Sequence, residues 1–231
     1  MSVVVSTLAD LVSYTNTLYE ADSTPPSSGD EDYTVWTALF NIAINLWESE
    51  EGVLWNELFT SLANAANGTK TTTAGTYSYA CPTLISFPAS GYVWLGSGVS
   101  KTPYKVIKPE ELQLYENNSG DWCYFLLDAT PTLEFNPNLT ISTGQTINYS
   151  LYIKATKLSA STDVIQMSDP MFAVYYALSE LKKEEGDTSA TSIASQKMEA
   201  MKTKNIMPSW YQSDNLLNKT EDSFGLSAFG T

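Results

Sequence analysis

Asp128 and Glu134 come nearest in this chain to a catalytic pair. Two carboxylates are the minimum for hydrolysis of a glycosidic bond, one as acid and one as base or nucleophile, and such a pair needs no histidine. These two flank a turn between adjacent predicted strands, a spacing that ordinary surface charge also produces. The rest of the chemical inventory is thin. All 12 basic residues are Lys; Arg and His are absent. That removes the commonest general acid/base and metal ligand, and the guanidinium clamps of phosphoryl transfer. Asp30, Glu31 and Asp32 lack the ligand spacing of a calcium loop and read as a solvated connector. The run from Gly91 to Gly98 is glycine-rich but has neither the Lys-Ser/Thr ending nor the following helix of a phosphate loop, so it reads as a β-turn. Cys81 and Cys123 fall in different predicted strands and read as small buried apolar residues in a reducing compartment. The expectation is a protein without enzymatic activity, catalytic residues, metal or cofactor.

Charge narrows the field further. Against the lysines stand 26 acids, for a formal net charge of -14. Gripping phosphates takes clustered cations, and scattered lysines in an acidic field argue against sequence-specific nucleic-acid binding. The N-terminal residues lack the basic segment and apolar core of a secretory signal, and no run approaches the ~20 apolar residues of a membrane span. A soluble protein is expected. Five Asn-x-Ser/Thr sequons, at Asn67, Asn117, Asn138, Asn148 and Asn218, suit a secreted glycoprotein. An Asn-, Ser- and Thr-rich chain without a signal produces such matches by chance, and Asn148 lies inside a predicted strand.

The elements that must position these residues follow from periodicity. Thr7 to Glu20 carries Leu8, Leu11, Val12, Leu18 and Tyr19 at helical spacing, with Ser6 or Thr7 as cap. Asp22 to Asp32 is a polar, acidic loop broken by Pro25 and Pro26. From Tyr33 to Glu51, Val35, Trp36, Leu39, Phe40, Ile42, Ala43, Leu46 and Trp47 wrap over half a helical cylinder, which predicts burial on several sides. After Gly52, the run from Val53 predicts a third, shorter helix ending near Asn67 and Gly68. Short segments rich in Thr, Tyr and Gly then predict strands at Gly75–Cys81, Leu84–Phe87, Tyr92–Leu95 and Tyr104–Ile107. A short helix from Lys108 to Tyr115 follows. The stretch from Trp122 through Leu133–Pro137 to a long strand Ile147–Ala155 reads as three antiparallel strands. Asp169 as N-cap, Pro170 at the first helical position and Gly186 at the stop bracket another helix, and Ala194, Met198 and Met201 mark the next.

The fold class expected is α+β: an antiparallel helical bundle of two to three N-terminal and two C-terminal helices, with an inserted antiparallel β-domain and an extended C-terminal tail. The boundaries are 1–68 for the N-terminal helices, 69–165 for the β-domain, 166–204 for the C-terminal helices and 205–231 for the tail. The order of these elements, with a strand ending at Leu133 to Pro137, a Gly-anchored turn, the strand Ile147–Ala155, a short Ser/Asp linker, a helix closing on Glu184 to Asp187 and a helix bearing Ala194, Met198 and Met201, resembles the head-to-tail adaptor (connector or neck) proteins of tailed bacteriophages. The likeness covers most of the chain and lies in layout, not in an active-site signature.

The resemblance implies a structural virion protein made in the host cytoplasm and placed in the neck. There a homo-oligomeric ring of twelve copies would join the portal protein to a tail or nozzle protein. The ring would extend the channel through which DNA passes during genome ejection, without sequence-specific contact and without a membrane. From Ile206 to Thr231 helical period is lost, yet Met207, Trp210, Tyr211, Leu216, Leu217, Phe224 and Phe229 are too many apolar anchors for a disordered tail. They are the expected docking residues toward the portal or a neighbouring subunit. The competing class is a carbohydrate-binding or other secreted β-rich module, suggested by the aromatics Trp94 and Trp122 and by the sequons.

Overall fold

The computed structural model describes residues 6–21, 24–61, 70–81, 85–97, 99–117, 119–186 and 188–205. The chain is mixed α+β, and its described residues divide into two compact units, a helical one from 6–58 and 155–205 and a β unit from 59 to 154. The sequence had put these crossings at 68/69 and 165/166.

In the helical unit, α1 (Leu8–Tyr19) begins with a capping box. The Thr7 hydroxyl accepts from the Asp10 amide at 3.2 Å, and the Asp10 carboxylate accepts from the Thr7 amide at 3.0 Å. Such a cap contributes about 1 kcal/mol. The helix α2 (Glu31–Glu48) buries Trp36, Phe40, Ala43, Ile44 and Trp47. Its other face stays exposed at Val35, Ile42 and Leu46, so burial on several sides does not occur. Helix α4 (Met171–Leu181) packs on α1, α2 and α5 (Ser189–Asn205); a further short helix, α3 (Leu112–Tyr115), belongs to the β unit. Pro170 stands at the N-cap of α4, one position later than expected, and the Asp169 side chain accepts from the Met171 amide at 3.2 Å. Gly186 supplies the positive φ of +74° that stops the turn after the helix.

Residues 155–167, expected as a plain linker, form a strap on the helices. Asn41 holds it through two hydrogen bonds to the Leu158 backbone, at 2.8 and 2.9 Å, and Thr7 bridges Val164 in antiparallel fashion. Leu158, Ile165 and Met167 are buried beneath it. Asp163 pins the strap's own turn by accepting from the Ser159 and Ala160 amides at 2.7 Å each. The amide and hydroxyl donors on Asp10 and Asp163 hold both carboxyls below their usual range. Groups depressed in the folded state stabilise it above the unfolded carboxylate range and lose that contribution as pH falls through the lower folded value. Acid titration of the helical unit is therefore expected to show a destabilising limb that Asp10→Asn with Asp163→Asn flattens; an unchanged acid limb in the double variant contradicts it.

Over the described residues 53–61 the predicted third helix is not formed. Val53 to Trp55 is irregular, a single 3₁₀ turn covers Asn56–Leu58, and Phe59–Ser61 is a strand, β1. The apolar run is short enough to fit either period, and tertiary contacts decide it: Trp55 leaves the helical path to pack on Trp47, with ring centroids 5.2 Å apart, and donates from Nε1 to the Trp47 carbonyl at 2.6 Å.

The described residues of the β unit form two sheets. A three-stranded one has the order β1, β10 (Ser150–Ile153), β4 (Ile85–Pro88). The larger is seven-stranded and nearly closed. Its order is β2 (Lys70–Thr71), β9 (Thr146–Asn148), β5 (Tyr92–Ser97), β6 (Ser100–Val106), β7 (Trp122–Leu126), β8 (Thr132–Phe135), β3 (Ser78–Ala80). All its pairings are antiparallel except β6 with β7, which departs from the all-antiparallel expectation. The long strand expected from Ile147 to Ala155 is two strands: β9 serves the large sheet and β10 the small one, with Tyr149 buried between them. The edge strands β2 and β3 are consecutive in the chain, and the Tyr79 hydroxyl accepts from the Thr73 amide at 3.0 Å across their connection. Val93, Leu95, Cys123, Phe125, Leu133, Phe135 and Ile147 fill the interior.

Gly96, with φ +121°, is required by close approach: a Cβ there would lie 2.3 Å from the Ser100 carbonyl oxygen. Gly96→Ala is expected to cost at least about 1–3 kcal/mol through strain and displacement of the β5–β6 hairpin. Denaturant unfolding checks it, and a neutral substitution refutes the stated register.

Candidate functional site

The residues with potential chemistry are engaged locally. Asp128 Oδ1 accepts from the Thr130 amide at 2.8 Å within its turn, and Glu134 Oε1 accepts from the Ser78 hydroxyl at 2.6 Å across β3 and β8. Each carboxylate thus has a structural partner of its own. Asp30 accepts from the Ser27 amide at 2.7 Å ahead of α2. Among the described residues, no three His, Cys, Asp or Glu side chains gather in a group that could hold a metal ion. No helix of the described residues is long and apolar enough to cross a membrane.

Cys81 and Cys123 are free thiols, the first half-buried and the second buried. Burial pushes Cys81 up to about 11 against the opposing hydrogen bond from the Tyr149 hydroxyl, and pushes Cys123 up further in the barrel-like core. A thiol in that state holds almost no thiolate at neutral pH. Iodoacetamide at pH 8 is expected to label native Cys81 slowly and Cys123 only on unfolding; rapid labelling of native Cys123 would refute this packing.

The aromatics divide. Trp122 is buried at 3% exposure, covered by Tyr115 from α3 at 6.4 Å and stacked on Tyr124 at 6.3 Å, so it offers no open face. Trp94 is half-buried on the outer face of β5, beside Tyr92 at 6.1 Å. Of the sequons, Asn148 spends its side-chain amide on the Trp94, Gly96 and Thr146 carbonyls at 2.9–3.3 Å and Asn138 on the Glu116 carbonyl at 3.0 Å. The predicted docking residues Met207, Trp210, Tyr211, Leu216, Leu217, Phe224 and Phe229 lie outside the described residues, as do Asn67 and Asn218.

What sequence reasoning missed is an apolar surface on the helical unit. Val35, Leu39, Ile42 and Leu46 recur at spacings of four, three and four, one stripe of α2; Val35 is 42% exposed, Ile42 and Leu46 44% each, and Leu39 half-buried. From Tyr33 to Trp47 this helix contains no Asp, Glu or Lys. The spacing was legible in the sequence, but which half of the apolar cylinder faces inward was not. Beside Leu46 the surface falls into a groove of about 560 Å³ between α2, α4 and α5. Phe172, Tyr176, Ala194 and Met198 contribute its apolar walls, with Phe172 and Tyr176 rings 6.3 Å apart. On its lip, Lys202 bridges Glu50 at 2.7 Å and Glu199 at 2.9 Å, and Lys183 pairs with Glu180 at 3.3 Å. A ridge beside a groove, apolar in both and with self-paired lip charges, is suited to holding protein and not to moving protons.

No protein-family model matches the chain. A search of curated proteins finds no match either.

Proposed function

We propose that this protein is a structural head-to-tail adaptor of a tailed phage, a ring of identical copies joining the portal to a tail or nozzle protein in the virion neck and extending the DNA channel. The observation that carries the reading is the charge-free ridge of Val35, Ile42 and Leu46, open to solvent on a chain of net charge -14. A contiguous apolar surface on such a chain marks a place where protein meets protein. The α+β layout, with helices from before and after the β insertion in the chain, supports the same reading. An acidic wall suits a DNA conduit, because phosphates meet repulsion and few adhesive contacts. Electron microscopy of purified portal rings mixed with the protein tests the proposal directly. Decoration of one face of the ring with rotationally symmetric density is the expected result, and bare portal rings at saturating protein overturn it.

A second reading, a carbohydrate-binding module, draws on one feature, the half-buried Trp94 beside Tyr92 on the outer face of β5. A glycan array with wild type and Trp94→Ala separates the two: saccharide binding lost in the variant supports the second reading and counts against the first.

A further inference from the structure

We infer that copies of this chain associate head to tail by seating the α2 ridge of one copy, Val35, Leu39 and Ile42, in the groove between α2, α4 and α5 of the next. The inference rests on the ring reading and names its contact. Each copy carries a convex apolar stripe, Val35 to Ile42, and a concave apolar groove that adjoins it at Leu46, both on the same helical unit. This is the requirement of a heterologous interface, in which two different patches meet and the contact repeats until a ring closes. The stripe's spacing lets its side chains interdigitate with the ridges of a helical groove, and Phe172, Tyr176, Ala194 and Met198 supply the apolar walls.

Charge selects the occupant. Two copies of net charge -14 repel, so they can approach closely only where acids are missing or neutralised. The ridge brings none between Tyr33 and Trp47, while acids stand at both ends of that stretch, Glu31 and Asp32 before it and Glu48, Glu50 and Glu51 after it. The groove's lip holds its acids in pairs with Lys202 and Lys183. A basic partner would be drawn by unpaired acids on the face it covers; an uncharged ridge leaves those pairs intact.

The test uses the full chain, with mass in solution read by analytical ultracentrifugation. Ile42→Lys and Val35→Lys put a charge on the ridge at exposed positions, and Ser195→Trp fills the groove from an exposed position on α5. Wild type is expected to sediment as an oligomer and each variant as a single chain with unchanged circular dichroism melting. An equimolar mixture of Ile42→Lys with Ser195→Trp is expected to form a two-chain complex and nothing larger, because one intact groove and one intact ridge make one contact. A wild type that stays monomeric at its highest soluble concentration overturns the inference, as does a mixture that stays monomeric. An oligomer lost on truncation after Asn205 makes the tail the occupant and also overturns it. Oligomers untouched by both ridge variants remove this contact and leave the ring reading standing, whereas an intact contact with bare portal rings removes the ring reading and leaves the contact.

Discussion

Trp55→Ala is expected to destabilise the helical unit by about 3–5 kcal/mol, a large part of the roughly 5–15 kcal/mol that holds a domain folded. Trp55 is 2% exposed and lies against Trp47, which is wholly buried. Truncation leaves a cavity between them that flanking backbone fills poorly, since the next residue is tied down: the Asn56 amide donates to Asn205 Oδ1 at 3.0 Å. The indole N–H bond to the Trp47 carbonyl is lost as well. Trp55→Phe separates much of the two contributions, because it keeps an aromatic ring against Trp47 while giving up the hydrogen bond, at about 1 kcal/mol, and the volume of the second ring. Denaturant unfolding of the full chain, followed by a probe of helix content, measures both. If Trp55→Ala costs no more than Trp55→Phe, packing on Trp47 is not what closes this end of the unit.

Removal of residues 206–231 is expected to abolish attachment to portal rings while leaving the melting of the helical unit nearly unchanged. The segment follows α5 in the chain. Trp210, Tyr211, Phe224 and Phe229 are side chains of the kind that dominate interface energy when each fills a pocket, and an extended segment can add main-chain hydrogen bonds to a partner's sheet edge. The cut must fall after Asn205. That residue is 7% exposed, its Nδ2 donates to the Met201 carbonyl at 3.1 Å and its Oδ1 holds Asn56, so removing it would unfasten the helix end and confuse the result. A large fall in melting temperature would mean that the tail packs on its own helices; normal decoration of portal rings by the truncated chain would move the portal contact to the loop before α2 or to the β unit.

Local signals were legible where one short stretch of chain carries the whole argument. Thr7 with Asp10, Asp169 before Pro170, and Gly186 each set a helix boundary through contacts within a few residues, and the helices α1, α2, α4 and α5 stand near where periodicity puts them. Alternation along Tyr92–Leu95 and Trp122–Leu126 likewise marked strands whose alternate residues enter the core. The engagement of Glu134, by contrast, needed coordinates, since Ser78 is 56 residues away in the chain.

By itself the sequence determined the mixed α+β class, the scarcity of cations and the absence of His and Arg, because class follows from local period and chemistry from residue type. Only the tertiary structure decided three things. The run after Gly52 became a 3₁₀ turn and a strand because Trp55 found Trp47, a contact no periodicity encodes. The stretch from Ile147 split between two sheets because β9 pairs with β5 and β2 while β10 pairs with β1 and β4, and strand pairing joins segments far apart in the chain. On α2, the apolar cylinder turned Trp36, Phe40 and Trp47 inward and left Val35, Ile42 and Leu46 in solvent, since the partners that choose a helix's buried face, α4 foremost, lie more than a hundred residues away.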